Sequence, residues 1–243
     1  MSVESGSLSP SLSPSLDRLS AGAVHSTVMQ LSRRIAARFP ERGLARVAQE
    51  LTQLADDVAV RTAATRDRLG RVRMLARIGI ALVLLATLAA LSLALRDVGR
   101  VDSSVGWLPL IESVINDLVF AAIAIFFLHT LPNRIERGQL LELLHRLRSL
   151  AHIVDMHQLT KDPERLRPDF VTTAVSPPLD LDRAGMEHYL DYCSELLSLI
   201  GKVAALCAEE SRDPVVLDTV STVETLTTAM SGKIWQKISL LPE

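Results

Sequence analysis

The 243-residue chain has few aromatic residues, two cysteines and a net charge close to zero. Aromatic residues make up 4% of it and the formal charge is −2 at pH 7, so no overall field recruits nucleic acid. Cys193 and Cys207 lie 14 residues apart on one predicted helix, about 21 Å along its axis, which is too far for a disulfide within that helix. We interpret both as small core residues and expect a reducing compartment.

Sequence motifs of enzymes are also missing. The 11 glycines are scattered, and there is no Walker loop, dinucleotide fingerprint, nucleophile elbow or CxxC pair. We therefore expect no cofactor and no enzymatic activity. No alternating strand pattern of useful length occurs, so the predicted fold class is all-α, a two-helix transmembrane hairpin with a cytoplasmic helical bundle.

Two long apolar stretches dominate the hydropathy. "IGIALVLLATLAALSLAL" (78–95) is 18 residues without a charge, about 27 Å of helix, which matches the hydrocarbon core of a bilayer. A second span is predicted at about 112–131. Because 77 residues precede the first stretch, it is too far along the chain for a cleaved signal peptide. Residues 78–131 are thus predicted to form the hairpin.

Arginines flank this hairpin and predict its orientation. Residues 61–77 hold six Arg and one Asp, and residues 133–148 hold four Arg and two Glu. The excess of Arg over Lys indicates a bacterial protein, and the positive-inside rule places both termini in the cytoplasm, with the hairpin in the inner membrane. The arginines for which we predict lipid headgroup contacts are Arg66, Arg68, Arg71, Arg73 and Arg77.

The remaining segments are predicted to form helices and linkers in the cytoplasm. Residues 1–22 repeat Ser-Leu-Ser-Pro and should be disordered. Helices over 23–77 lead to the first span, a helix over 132–167 follows the second, 168–182 is a linker, and 183–243 is a helical hairpin of about 183–210 and 214–239.

Glycine, proline and aspartate mark expected breaks within those segments. Phe39-Pro40 should end the first helix, and Gly70 is a candidate hinge in the second. Pro132 is expected either to kink the chain or to restart a helix. Asp162 and Asp213, each followed by Pro, are expected to cap new helices.

Polar residues in "AHIVDMHQLTKDPERL" (151–166) raise three interpretations. On a helix His145, Arg148, His152 and Asp155 share one face. His152 and Asp155 would begin a metal site if His188 or Asp191 joined them from another helix, and a metal-dependent enzyme is the hypothesis we favour least. We favour a polar seam on the helix.

Acidic and amide groups at the start of the second span form another candidate functional site. Glu112, Asn116 and Asp117 would lie at or inside the membrane boundary, where charged groups are costly and often functional. In an oligomer they would form an acidic ring that favours cations. The alternative pairs them with Arg96 or Arg100 at the outer interface.

Two resemblances bear on function. "RSLAHIVDMHQLTKDPERL", "YLDYCSELLSLIGKVAAL" and "LTTAMSGKIWQKI" resemble stretches of an uncharacterised family of bacterial two-span membrane proteins. The layout of a helix, two spans and cytoplasmic helices is similar to SLATT-type membrane effectors, a resemblance that implies a pore in bacterial defence.

The expected partners are membrane lipids, other copies of the chain in a homo-oligomer, and a cytoplasmic protein. We expect no nucleic acid. The first functional hypothesis is a membrane-anchored bundle that self-associates or docks a partner, because apolar stripes flank the membrane segment on both sides. The alternative is an oligomeric pore with an acidic outer mouth.

Overall fold

The computed structural model describes residues 18–98, 107–176 and 179–242. These residues form helices and connecting loops, with no strand among them, so the all-α prediction is confirmed for this part of the chain. The helices are α1 (Ala21–Arg38), α2 (Gly43–Val98), α3 (Trp107–Leu159), α4 (Arg183–Glu210) and α5 (Pro214–Ser239), with a short 3₁₀ helix at Pro163–Leu166.

Helix α1 begins earlier than the sequence predicts. The Oγ of Ser20 accepts a hydrogen bond from the Ala23 N–H at 3.3 Å, which satisfies one of the unpaired donors at the start of the helix. The prediction of a disordered segment up to residue 22 is therefore wrong at its last residues, and residues 1–17 lie outside the described part. The helix ends at Arg38, before Phe39 and Pro40, as predicted.

Helices α2 and α3 are long and continuous. They contain 56 and 53 residues, roughly 84 and 80 Å of helix. Gly70 lies inside α2 and Pro132 inside α3, so the predicted alternative of a helix restart at Pro132 is wrong. Proline removes one backbone hydrogen bond, and α2 packs against α3 on both sides of this position, which keeps the helix continuous.

Five helical segments enclose one apolar core: α1, the first part of α2, the last part of α3, α4 and α5. The apolar stripes predicted from the sequence form this core, because residues spaced by three and four share one face of a helix. Its buried members include Val24, Val28, Leu31 and Ile35 of α1; Leu44, Val47, Leu51, Leu54 and Val58 of α2; Leu144, Leu147, Ala151 and Val154 of α3; Leu190, Cys193, Leu197, Ile200 and Ala204 of α4; and Val216, Val220, Val223, Met230 and Ile234 of α5. We call this unit the bundle.

Aspartates begin the helices of the C-terminal hairpin. Asp182 accepts a hydrogen bond from the Gly185 N–H at 2.8 Å, and Asp213 accepts from the N–H groups of Val215 and Val216. Asp162 starts the 3₁₀ helix in the same way. The caps predicted at Asp162 and Asp213 are present, and the bounds of α4 and α5 coincide with the predicted helices.

The remainder of α2 and α3 forms a pair of helices that projects from the bundle. Both helices are long and apolar enough to cross a membrane, the first stretch being Gly70–Leu93 and the second starting at Ile111. The most apolar 18-residue window of each is only 6% buried, whereas the core helix of a globular protein would be mostly buried. We call this pair the hairpin.

The bundle has two ends. At one, which we call the junction, α2 and α3 pass into the hairpin near Arg73 and Arg137, and the α4–α5 turn lies beside them. At the other, the far end, α2 begins at Gly43 and α3 ends at Leu159. Each end groups polar side chains that are distant in sequence.

Candidate functional site

The far end has a lysine that completes the C-terminus of α3. The Nζ of Lys237 donates to the backbone oxygens of Gln158 at 3.0 Å and of Lys161 at 3.2 Å. The last carbonyls of a helix lack partners within it, so this ammonium group acts as a cap supplied by another helix. Burial lowers the pKa of Lys237, and Asp162 and Asp155 oppose that shift.

His157 packs on Gly43 at the same end. A methyl group added at Gly43 would collide with the imidazole, so glycine is the residue that permits this approach of α2 to α3. Burial, and secondarily the charge of Lys161, lowers the pKa of His157. The histidine is therefore a packing residue rather than an exposed base.

Aromatic and basic side chains close the far end around α4. The Phe39 and Tyr189 rings meet edge to face with centroids 5.3 Å apart, and the Lys161 Nζ lies 5.4 Å from the centre of the Tyr189 ring. Arg42 donates to the Asp180 carboxylate at 2.7 Å, which ties the linker to the start of α2. Burial raises the pKa of the Cys193 thiol to about 12, which leaves it unreactive.

The polar face of α3 does not assemble a ligand set. His145, Arg148 and His152 are exposed, and Asp155 is half-buried and accepts a hydrogen bond from the Gln158 Nε2 at 2.7 Å. Within the described ranges, no three His, Cys, Asp or Glu side chains are grouped as a metal site would need. No hydrogen bond or ion pair among these described residues joins the four members of the seam to one another.

The acidic residues of the second span are exposed on α3. Asp117 lines a cleft of about 350 Å³ between the two helices of the hairpin, opposite Ala86, Thr87 and Ala90. Glu112 and Asn116 are exposed and do not line that cleft. No ion pair joins Arg96 to these acids among the described residues, and Arg100, the other predicted partner, lies outside them.

Arginines gather at the junction. Of the predicted lipid-contacting set, Arg71, Arg73 and Arg77 are exposed there, and the side chains of Arg66 and Arg68 lie outside the described part. Arg73 lies 3.7 Å from the Glu136 carboxylate, as measured between Nη2 and Oε2. Arg212, in the α4–α5 turn, could not be predicted to lie here, because a loop arginine gives no local signal of where packing will place it.

Two cavities that share Arg73 and Asn133 lie at the junction, and the α4–α5 turn forms one side of the larger. The larger, of about 450 Å³, is lined by Arg73, Asn133, Glu136, Arg137, Ser211, Arg212 and Asp213. The smaller, of about 150 Å³, is lined by Arg73, Ala76, Arg77, Ile80, Leu128, His129, Pro132 and Asn133. The pair is polar on the bundle side and partly apolar on the hairpin side.

Ion pairs between helices lie along the bundle surface. Arg34 contacts the Glu195 carboxylate at 3.0 Å and joins α1 to α4, and Arg146 contacts Glu50 at 2.9 Å and joins α3 to α2. These side chains are partly exposed, so each pair contributes at most about 1 kcal/mol. They orient helices and offer no arrangement for nucleophilic or acid–base catalysis.

No protein-family model, curated protein or solved structure matches this chain significantly. The resemblances to two-span membrane proteins and to SLATT-type effectors therefore stay predictions.

Proposed function

We propose that the protein is a non-enzymatic bacterial inner-membrane protein, whose hairpin anchors a cytoplasmic bundle that self-associates or docks a protein partner. The exposure of the hairpin carries this proposal. Side chains such as Leu85, Leu88, Phe120 and Phe126 are between 59% and 70% exposed, so water would meet a large apolar surface unless lipid covered it.

The charge distribution supports the proposed orientation. Arg71, Arg73 and Arg77 on α2 and Arg134 and Arg137 on α3 all lie where the hairpin meets the bundle. An excess of lysine and arginine close to the ends of membrane spans sets the orientation, with the basic side in the cytoplasm. The bundle and both termini would then be cytoplasmic.

Alkaline carbonate extraction tests the anchor. The chain should stay in the membrane fraction, because extraction removes peripheral proteins and leaves integral ones. Leu85→Arg combined with Phe120→Arg should reduce retention, since each arginine at mid-span costs about 2.5–3.5 kcal/mol. Thr222→Arg, at an exposed site on α5, is the matched control and should have no effect. Release of the unmodified chain would rule out the anchor.

Cysteine labelling tests the orientation. Cys193 and Cys207 are buried, so the unmodified protein supplies a low background. A membrane-impermeant maleimide should label Ser104→Cys in intact spheroplasts and label Ser221→Cys, on the exposed face of α5, only after permeabilisation. The reverse pattern would invert the proposed topology.

Chemical cross-linking and size-exclusion chromatography in mild detergent test the association. We expect an oligomer or a copurifying protein, because the proposed bundle self-associates or docks a partner. A monomer alone, with no copurifying protein, would contradict this part of the proposal.

An oligomeric pore is the second candidate function, and the position of Asp117 favours it. A carboxylate in the cleft between two apolar helices is costly in lipid and would be better placed beside a water-filled path. The architectural resemblance to SLATT-type effectors points the same way.

Cation flux into liposomes tests the pore. If the chain conducts, Asp117→Asn and Glu112→Gln should lower the cation flux several-fold, since they remove the charges that concentrate cations. Asp218→Asn, an exposed acid on α5, is the control. Unchanged flux in the first two variants would remove those residues from the path, and an absence of flux would remove the pore.

A further inference from the structure

The junction has more positive charge than its own carboxylates compensate. Arg73 lies 3.7 Å from Glu136 and Arg137 lies 3.8 Å from Asp213, so both acids of the larger cavity already face an arginine. Arg77 lines the smaller cavity and Arg212 the adjacent larger one, and neither has an acidic partner among the described residues. Two guanidinium groups thus remain for an anion.

The smaller cavity lies where the charged part of α2 meets its apolar run. Arg77 is the last charged residue before the 18-residue apolar run, and Ile80 and Leu128 line the same small cavity. An anion held by the arginines could therefore continue into an apolar chain on the hairpin side. Guanidinium groups in a cavity bind phosphate through paired hydrogen bonds. Arginines on a flat protein surface attract anionic headgroups mainly through their charge.

We propose that the junction binds the phosphate group of an anionic phospholipid, with Arg77 and Arg212 as its main contacts. The inference rests on the proposed membrane anchor and goes beyond it, because Arg212 belongs to the α4–α5 turn. A lipid bound there joins the C-terminal hairpin of the bundle to the membrane. The bound lipid would limit rotation of the bundle over the bilayer.

Lipid-dependent thermal stabilisation of the full chain in neutral detergent tests this site. Dioctanoyl phosphatidylglycerol should raise Tm with saturation, and dioctanoyl phosphatidylcholine should not, since a ligand that binds only the folded state stabilises it. Arg77→Gln combined with Arg212→Gln should weaken the apparent affinity for phosphatidylglycerol about tenfold or more. Arg33→Gln with Arg148→Gln removes the same charge from exposed sites elsewhere on the bundle and should leave the affinity unchanged.

Two further measurements distinguish a lipid phosphate from free phosphate and control for misfolding. Inorganic phosphate at millimolar concentration should neither raise Tm nor displace the lipid; if it does both, a soluble anion is the ligand and the lipid assignment is overturned. Arg77→Lys with Arg212→Lys keeps the charge and should retain part of the affinity. Equal responses of the wild type and the Gln pair would overturn the site.

Failure of this inference differs from failure of the anchor. If the chain resists carbonate extraction but responds equally to both lipids, the proposed function stands and the proposed lipid site is wrong. If carbonate releases the chain, the proposed membrane anchor is wrong.

Discussion

At the scale of single residues, Lys237 has a structural role that its sequence position does not reveal. Its ammonium group reaches from α5 to the backbone oxygen of Gln158, in the last turn of α3, and to that of Lys161, just beyond the helix. The contact joins the last helix of the chain to the one that continues from the hairpin. We expect it to matter for stability rather than for chemistry.

Lys237→Met should lower the free energy of unfolding by about 1–3 kcal/mol, because it removes two charge-assisted hydrogen bonds between α5 and the end of α3. Urea denaturation followed by circular dichroism measures this loss. Lys233→Met, at an exposed site on the same helix, should change it by less than about 0.5 kcal/mol. Similar losses in both variants would argue against the capping role.

His157 should make the bundle sensitive to acid. Its pKa is lowered in the folded protein, so below the ordinary value of 6.5 the unfolded chain takes up a proton that the folded chain resists. The stability associated with the neutral imidazole is complete above that pH and is lost as pH falls through it. Packing on Gly43 is the cause, since the charged ring would be poorly solvated there.

Thermal unfolding at pH 7.5 and pH 5.5 checks this expectation. The fall in Tm between the two should be smaller in His157→Gln than in the wild type, because the amide cannot take up the proton. His152→Gln, a change at an exposed site on the same helix, should keep the wild-type difference. A wild-type pH dependence in His157→Gln would contradict the assignment.

At the scale of elements, the continuity of α2 connects the hairpin to the bundle mechanically. The helix passes through Gly70 without interruption, and among the described side chains and the other helices nothing lies within 4 Å of a Cβ added there. The glycine thus meets no packing or conformational requirement in this helix. A hinge would need a break that α2 does not contain.

Gly70→Ala should raise Tm or the free energy of unfolding by up to about 1 kcal/mol, since alanine has the higher helix propensity and no contact opposes it. Gly138→Ala, also in open space on α3, should behave alike. Gly43→Ala is the contrasting variant and should be destabilising, because its methyl group meets His157. Destabilisation by Gly70→Ala would indicate a second conformation in which this position bends.

At the scale of the whole molecule, the two parts of the chain rest on different forces. The bundle is held by burial of one shared apolar core, which denaturant weakens. The hairpin, if embedded in a micelle, keeps its backbone hydrogen bonds because no water is present to replace them. Each long helix would then have one part in the micelle and the other in the bundle.

Urea should unfold detergent-solubilised protein in two stages. The bundle loses its helicity first, and the circular dichroism signal of the hairpin remains at high denaturant. Ile200→Ala, at a fully buried site, should lower the free energy of unfolding of the first stage by about 2–5 kcal/mol. It should leave the residual circular dichroism signal unchanged. A single transition to a fully unfolded chain would show that both parts depend on the same core.

Periodicity and capping predicted much of the fold, because both are local. Stripes at three- and four-residue spacing located the buried faces of all five helices, and Asp213-Pro214 located the start of α5. Local rules left a kink and a helix restart open at Pro132, and only the restart is wrong, since α3 continues through this position. They also placed the disorder boundary slightly too late, where Ser20 caps α1.

The sequence by itself determined that the chain is helical, that two stretches are apolar enough to cross a membrane, and that arginines flank them, because composition and spacing encode these properties along the chain. Which distant side chains meet depends on the packing of the helices. It placed Lys237 on the end of α3, His157 on Gly43 and Arg212 beside Arg73. The physical reason is that such contacts depend on how the helices pack, and no single helix contains that information.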